Sequence, residues 1–523
     1  MGPRSMRSAS MTIDQLRGAL MVCGTTSDAG KSTVVAGLCR LLARQGVSVA
    51  PFKAQNMSLN SVVTASGHEI GRAQGFQAFA AGVPAEVAMN PILLKPTGDR
   101  VSQVVVHGAP WKVMTAAEYH SIKLQLLPTV LDALADLRRR FDVVLCEGAG
   151  SPTEINLLDR DIVNLRIAHD AQIPAIIVGD INPGGVFAAL YGTVALLPDH
   201  LRQCVQGLVI NKLRGDPALL LDGCQQLTVR TGVPVLGVIP WLDATGLDAE
   251  DSMALDSPVA MAGDALVDEL DVAVIRFPRI SNFTDLEPLS VEPGVRVRYV
   301  HDRAGLGKPD LVVLPGSKAT VSDLTWLRRG GLANEIISCG AVVLGICGGY
   351  QMMGATIDDP VECHAGLVDG LGLLPVETVF QPDKATMQRH GNACGHRVSG
   401  YQIHHGRVRP HGGDPFVVLN GTTDDPGTVV DGVGDGAMYG TTLHGLFEAD
   451  EFRRAFLAIV AQHRGKRFVS AGRSFQQTRI DALDRLADAL AEHLDMAAIE
   501  RLISQPSHRT DAPTGRTNAG AHL

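Results

Sequence analysis

Between Ala19 and Pro240 the chain alternates short apolar runs with longer stretches of helical spacing. The runs are ALMVCG, VSVAPFK, FDVVLCEGAG, IPAIIVGD, VQGLVINKL and VPVLGVIP. They are rich in Val and Ile, end at Gly, Pro or Asp, and lack the in–out alternation of a half-exposed strand. This pattern predicts strands buried on both faces, and hence a doubly wound parallel sheet with helices on either side. From Leu242 to Leu270 the sequence turns acidic and weakly periodic, and the linker is placed at 251–269. The alternation resumes near Asp271 with DVAVIRFP, VRVRYV, DLVVLPGS and AVVLGICGG. Between Asp369 and Gly440 it becomes Gly- and His-rich, predicting a second α/β unit with a β-rich insertion. Helical spacing returns over 451–463 and 480–502. The expected organisation is an N-terminal tail (1–17), a nucleotide-binding domain (18–250), the linker, a second α/β domain (270–465), a helical extension (466–504) and a disordered tail (505–523).

Composition narrows the class. A chain of 523 residues is long enough for several folding units. Its 45% hydrophobic content, 4% aromatics and 56 glycines suit an α/β protein with many tight turns. A net charge of −9 offers no global positive field for a phosphate backbone, which argues against nucleic acid as a partner. The nine cysteines are dispersed without a CxxC pair, the usage expected of a reduced, cytoplasmic protein. The first residues carry two early arginines but no apolar signal region. No apolar stretch is long enough to span a membrane.

Met21–Thr33 reads MVCGTTSDAGKST, a strand entering a Gly-rich turn with Lys-Ser at the start of a helix. Backbone N–H groups of such a turn cradle phosphate, Lys31 neutralises the β/γ oxygens, and Ser32 is suited to ligate Mg²⁺. Five residues separate Gly24 from Gly30 where the usual loop has four, so this is a variant phosphate loop. Thr25, Ser27 and Thr33 complete the expected cradle. Lys53 and Glu147 fall at the carboxyl ends of strands, where a doubly wound sheet binds ligands. Alone, Lys53 reads as a surface lysine and Glu147 is ambiguous. Beside the loop they become a nucleotide site, with Glu147 a second candidate ligand for Mg²⁺. Asn211 ends another strand and is a candidate for the purine edge, although such a residue is often only a turn former.

A second chemistry begins at Gly345-Ile346-Cys347-Gly348-Gly349, which closes an apolar strand and opens a helix. It has the form of a nucleophile elbow with Cys for Ser, exposing a thiolate at a helix N-terminus. Oxyanion donors are expected at Gly348 N–H and in the LPGS loop around Gly316 and Ser317. The base must be a histidine distant in sequence. His444, in GTTLHGLFE, is chosen over His404 and His405, whose adjacent side chains should point to opposite faces of a strand. Cys363-His364 and Cys394-Gly-His396 do not have the intervals of a zinc site.

The motifs GTTSDAGKS, PFKAQNMSLNS, EIGRAQ, NPILLKPTGD, EGAGSPTEINLLDRDIVN, LPGSKAT, GICGGYQMMG, YQIHHG and LHGLF together resemble the cobyric acid synthase family, over nearly all of residues 19–494. The first half is also similar to dethiobiotin synthetase, and the second to class I glutamine amidotransferases. The resemblance implies ATP-dependent amidation of the b, d, e and g carboxylates of adenosylcobyrinic acid a,c-diamide. ATP, glutamine and a corrinoid are then the ligands, and ammonia is released at Cys347 and His444. Ordinary class I enzymes have His-x-Glu, whereas position 446 here is Leu446, so no third member of the Cys–His site is assigned. The alternatives are the a,c-diamide synthase or another glutamine-dependent ligase of this architecture. A regulatory ATPase carrying a degenerate amidase module is the reading from a different class.

Overall fold

The apolar runs of the first half become one parallel sheet. Its strand order is Val235–Pro240, Val205–Leu213, Ala175–Asp180, Gly18–Gly24, Val143–Glu147, Val49–Phe52. In this computed structural model, which describes residues 16–98, 100–242, 269–421, 427–470 and 472–505, both faces of the sheet are covered. The central strand shows why its run is continuously apolar: Ala19, Met21 and Cys23 pack into one core layer, Leu20 and Val22 into the other. Most of the two tails and of the 251–269 linker placed from the sequence lie outside the described residues.

A small four-stranded sheet, in the order Gln55–Met57, Ile92–Gly98, Val101–Val106, Ala109–Thr115, interrupts the first half. The alternation of apolar runs did not announce it. Nearby, Ser61–Val63 pairs with Glu69–Gly71.

The second half is built on an eleven-stranded mixed sheet. Its parallel portion runs Val295–Val300, Leu270–Ile275, Leu311–Leu314, Val342–Ile346, Met438–Thr441. The Gly- and His-rich region supplies the antiparallel portion, chiefly the long pair Val376–Ala393 and His396–Pro410. Val272 and Val274 face one core layer, Ala273 and Ile275 the other.

The helical spacing over 480–502 resolves into two helices, Phe475–His493 and Met496–Ile503. The periodicity is uninterrupted, and tertiary contact makes the break. Leu494 is extended and bridges Gly237, Asp495 N–H donates to Leu236 O (2.7 Å), and the Asp495 carboxylate caps Ala498 N–H. Leu483, Leu486 and Leu490 join the core of the first half. They lie against the helix Lys31–Arg44, where Gly37 lets Leu490 approach so closely that a Cβ would stand 2.4 Å from its methyl. The chain therefore crosses into the second half and returns to the first.

The halves also meet directly. Tyr401 OH donates to Ser61 O (3.0 Å), Ser61 N–H to Asn282 Oδ1 (3.0 Å) and Gln388 Nε2 to Val63 O (2.8 Å). Buried Glu69 accepts from Lys95 of its own half and from Lys384 of the other, the latter at 2.6 Å.

Candidate functional site

At the carboxyl end of the first sheet, Gly30 takes φ 95°, a left-handed conformation that lets the loop turn into the helix Lys31–Arg44. Lys31 curls over the loop, donating to the carbonyls of Thr26 (2.8 Å) and Ser27 (2.9 Å). Thr25 N–H is anchored on Val178 O at 2.9 Å, while Ser27 and Thr33 are exposed. Ser32 Oγ and Lys53 Nζ both donate to Glu147 Oε1 at 2.7 Å, and Gln77 Nε2 donates to the second carboxylate oxygen at 2.5 Å. Glu147 and Lys53 are 1% and 4% exposed, so the lysine that reads alone as a surface residue is the buried partner of the carboxylate. Gln77, on the helix Arg72–Ala81, was not foreseen. Asn211 fastens the loop: its amide donates to Ala29 O (2.9 Å) and its oxygen accepts from Lys212 N–H (2.9 Å). The bidentate edge a purine needs is thus already partly engaged.

In the second half Cys347 has φ 51° and ψ −109°, the strained turn of a nucleophile elbow. The surrounding glycines are required by space. A Cβ on Gly349 would lie 1.8 Å from Leu314 O, and one on Gly345 would lie 2.6 Å from the backbone of Tyr350. His444 is held by reciprocal backbone bonds with Tyr401 and stacks on its ring at 5.3 Å. Its Nδ1 meets Asp285 Oδ2 at 2.6 Å, leaving Nε2 for the thiol of Cys347, with which the ring is hydrogen-bonded. Asp285 also accepts from Gly445 N–H (2.9 Å). Burial disfavours the imidazolium of His444. The charges of Asp285 and Cys347 outweigh it, and the ring titrates up to about 10.

Asp285 is a site residue that sequence reasoning missed. It lies 159 residues from His444, on the 3₁₀ stretch Phe283–Val291, and nothing local marks it. Glu448, the acidic residue near the His-x-Glu position, bonds Arg72 Nη2 at 3.1 Å instead.

Opposite the elbow, Gly316–Ser317 pairs antiparallel with Ile280–Ser281. Lys318 N–H donates to Arg279 O (3.0 Å), and bonds alternate along an antiparallel ladder, so Gly316 faces Ser281 in a bonded pair and Ser317 N–H is directed away. Ser317 N lies 2.8 Å from where a Cβ on Gly348 would stand. Of the two donors expected in this loop, the register favours Ser317 over Gly316. His404 and His405 both reach the cavity around Cys347, contrary to the strand alternation expected of them. The partner strand makes an excursion between Phe380, opposite Gly406, and Ala385, opposite His404, and this breaks the alternation.

Comparison with known proteins agrees with this two-site organisation. The model of the CobQ/CobB/MinD/ParA nucleotide binding domain matches residues 20–254, and that of the CobB/CobQ-like glutamine amidotransferase domain matches 271–452. The cobyric acid synthase of Rhodococcus jostii (strain RHA1) is 52% identical over 94% of this chain and 97% of its own. That of Nocardia farcinica (strain IFM 10152) is 50% identical over 96% and 98%. A solved glutamine amidotransferase covers 36% of this chain and 98% of its own, at 15% identity and a TM-score of 0.29, too slight a likeness to add to the argument. With both domain models matched in order and the relatives aligned along almost the full length, the chain belongs to the cobyric acid synthase family and is a glutamine-hydrolysing ligase.

Proposed function

We propose that this protein amidates the b, d, e and g carboxylates of adenosylcobyrinic acid a,c-diamide to adenosylcobyric acid, using ATP and glutamine. The observation that supports the reading is the presence on one chain of a nucleotide binding domain and a glutamine amidotransferase domain, neither of which suffices alone. A carboxylate is a poor acyl donor because oxide is a poor leaving group. Its oxygen therefore attacks the γ-phosphorus of ATP, releasing ADP and forming an acyl phosphate. Lys31, drawn from its loop carbonyls, neutralises the phosphate oxygens, and Lys53 holds Glu147 in place. The Ser32 hydroxyl and the Glu147 carboxylate, 2.7 Å apart, are the hard oxygen donors that suit Mg²⁺. Those two residues would hold the ion, which supplies neutralisation of β- and γ-phosphate charge when bound.

Nitrogen comes from the other site. Cys347 thiolate attacks the side-chain amide carbon of glutamine, and the N–H groups of Gly348 and Ser317 stabilise the oxyanion. His444 Nε2 protonates the departing ammonia, with Asp285 holding the ring. Water then hydrolyses the thioester to glutamate and restores the thiol. Ammonia attacks the acyl phosphate carbonyl and phosphate leaves, completing the amide. Mass spectrometry of the corrinoid after incubation with ATP and glutamine tests the proposal. Four amidations are expected, and an unchanged corrinoid, or amidation at the a and c positions of cobyrinic acid instead, would overturn it.

A further inference from the structure

His444 belongs to the second half, yet what holds it is braced from the first. Asp285, which meets His444 Nδ1 at 2.6 Å, stands near the start of the 3₁₀ stretch Phe283–Val291. Asn282 opens that stretch with φ 51° and ψ 39°, a left-handed conformation that costs an L-residue energy. Such a turn persists where its surroundings over-determine it. Here the surroundings come from across the joint. Asn60 Oδ1 accepts from Phe283 N–H (3.3 Å), and in return Asn282 Oδ1 accepts from Ser61 N–H (3.0 Å), so two side-chain amides clasp the facing backbones. Both asparagines are 3% exposed. Inside the clasp Asp285 N–H donates to Asn282 O (3.1 Å), which ties the carboxylate to the turn.

The residue after Asn60 reaches the imidazole from its face. Ser61 O accepts from the hydroxyl of Tyr401 (3.0 Å), and Tyr401 is the ring on which His444 stacks. The segment is itself fixed within the first half. Asn60 N–H donates to Ser58 Oγ (3.0 Å), and Asn60 O accepts from the N–H of Arg72 (3.1 Å), where the helix Arg72–Ala81 begins. We infer that Asn60 is a positioning residue for glutamine hydrolysis, holding Asp285 against His444 from the nucleotide-binding half. Without its Oδ1 the buried Phe283 N–H loses an acceptor, and the left-handed turn loses a tie that keeps it in place. The carboxylate then withdraws from the ring, and its support of the imidazolium weakens with distance. The inference rests on the reading of Cys347 and His444 as a glutaminase, and it makes that site dependent on the other half.

The test measures the pH dependence of ammonia release from glutamine by the full-length protein. Asn60→Ala should lower kcat about tenfold, leave KM for glutamine near the parent value, and bring the alkaline limb of kcat/KM down toward neutrality. Asn282→Gly keeps the left-handed turn and removes the reciprocal acceptor. It is the milder cut should the alanine variant fail to fold, and its limb should move the same way. The double variant Asn60→Ala with Asp285→Asn shows whether Asn60 acts through the carboxylate. Its limb should coincide with that of Asp285→Asn alone, because the charge that Asn60 positions is already gone. A general weakening of the fold would lower the number of active molecules without moving the limb. Unmoved limbs in the single variants at Asn60 and Asn282, or a further shift in the double variant, would overturn the inference while leaving the glutaminase standing. A parent protein that hydrolyses no glutamine would overturn the glutaminase reading itself.

Discussion

Asp285 decides the chemistry of a residue far from it in sequence. Burial alone would push the His444 imidazole toward its neutral form. The carboxylate at 2.6 Å and the adjacent thiol reverse that and hold the ring protonated up to about 10. In the proposed glutaminase reaction an imidazolium facing Cys347 is the acid that releases ammonia. The sign of the linkage follows. Folded His444 titrates above its ordinary 6.5, so its contribution to stability is complete below that value and is lost as pH rises through about 10. Asp285→Asn retains the shape and removes the charge. The alkaline limb of glutaminase kcat/KM should then move down by several pH units, with kcat at pH 8 falling about a hundredfold or more. A pH–rate profile of ammonia release checks this, and a profile that merely drops without shifting would show that Asp285 does no electrostatic work on the imidazole.

The elements differ in how plainly the sequence announces them, and the difference follows from the range of the interactions. Strands such as Gly18–Gly24 and Val342–Ile346 are legible because both faces are buried, leaving continuous apolar runs. The phosphate loop and the Cys347 elbow are legible because their constraints are local: a glycine at φ 95° before Lys31, and small residues on both sides of the thiol. The break at Leu494 is not legible, since the helical period runs straight through it and only the edge of the strand Val235–Pro240 imposes it. Asp285, Gln77 and the Lys95–Glu69–Lys384 cluster escape for the same reason, because each acquires its role through contacts distant along the chain. The elbow permits a test at this scale. Gly349→Ala forces a Cβ within 1.8 Å of Leu314 O, where only backbone could move aside, so it should cost about 3 kcal/mol and abolish glutaminase turnover. Gly436→Ala, at φ 60° with open space around it, should cost about 1 kcal/mol and leave turnover intact. Urea denaturation with a parallel ammonia assay distinguishes the two.

At the scale of the whole molecule the two chemistries must share a nitrogen atom, and the joint between the halves bears on whether they do. The Cys347 cavity belongs to the second half, yet Lys95 of the first half forms part of its wall. Lys95 is held there by Glu69, which also receives Lys384 from the opposite side, so one buried carboxylate pins a cation from each half. Burial would raise the Glu69 carboxyl, but the two ammonium groups outweigh it and hold the group far below the usual carboxylate range. The carboxylate therefore stays ionised until strong acidification, whereas burial and the neighbouring ammonium groups of Lys95 and Lys318 lower Lys384 to about 8, so the tie across the joint is also lost as pH rises through that value. Lys384→Met leaves Glu69 paired with Lys95 and removes the tie across the joint, a milder change than Glu69→Gln, which would strand two buried ammonium groups. If the joint keeps ammonia from bulk water, Lys384→Met should hydrolyse glutamine faster than it makes amide. Glutamate should then exceed amide product by about twofold or more, against near equality in the parent. Synthesis driven by added ammonium should be unchanged, because phosphoryl transfer is assigned to Lys31, Ser32, Lys53 and Glu147, whereas Lys384 bonds Glu69. Glutamate and amidated corrinoid measured in one reaction give the ratio. A variant that keeps the two products equal would mean that the cluster only holds the halves together and has no part in retaining ammonia.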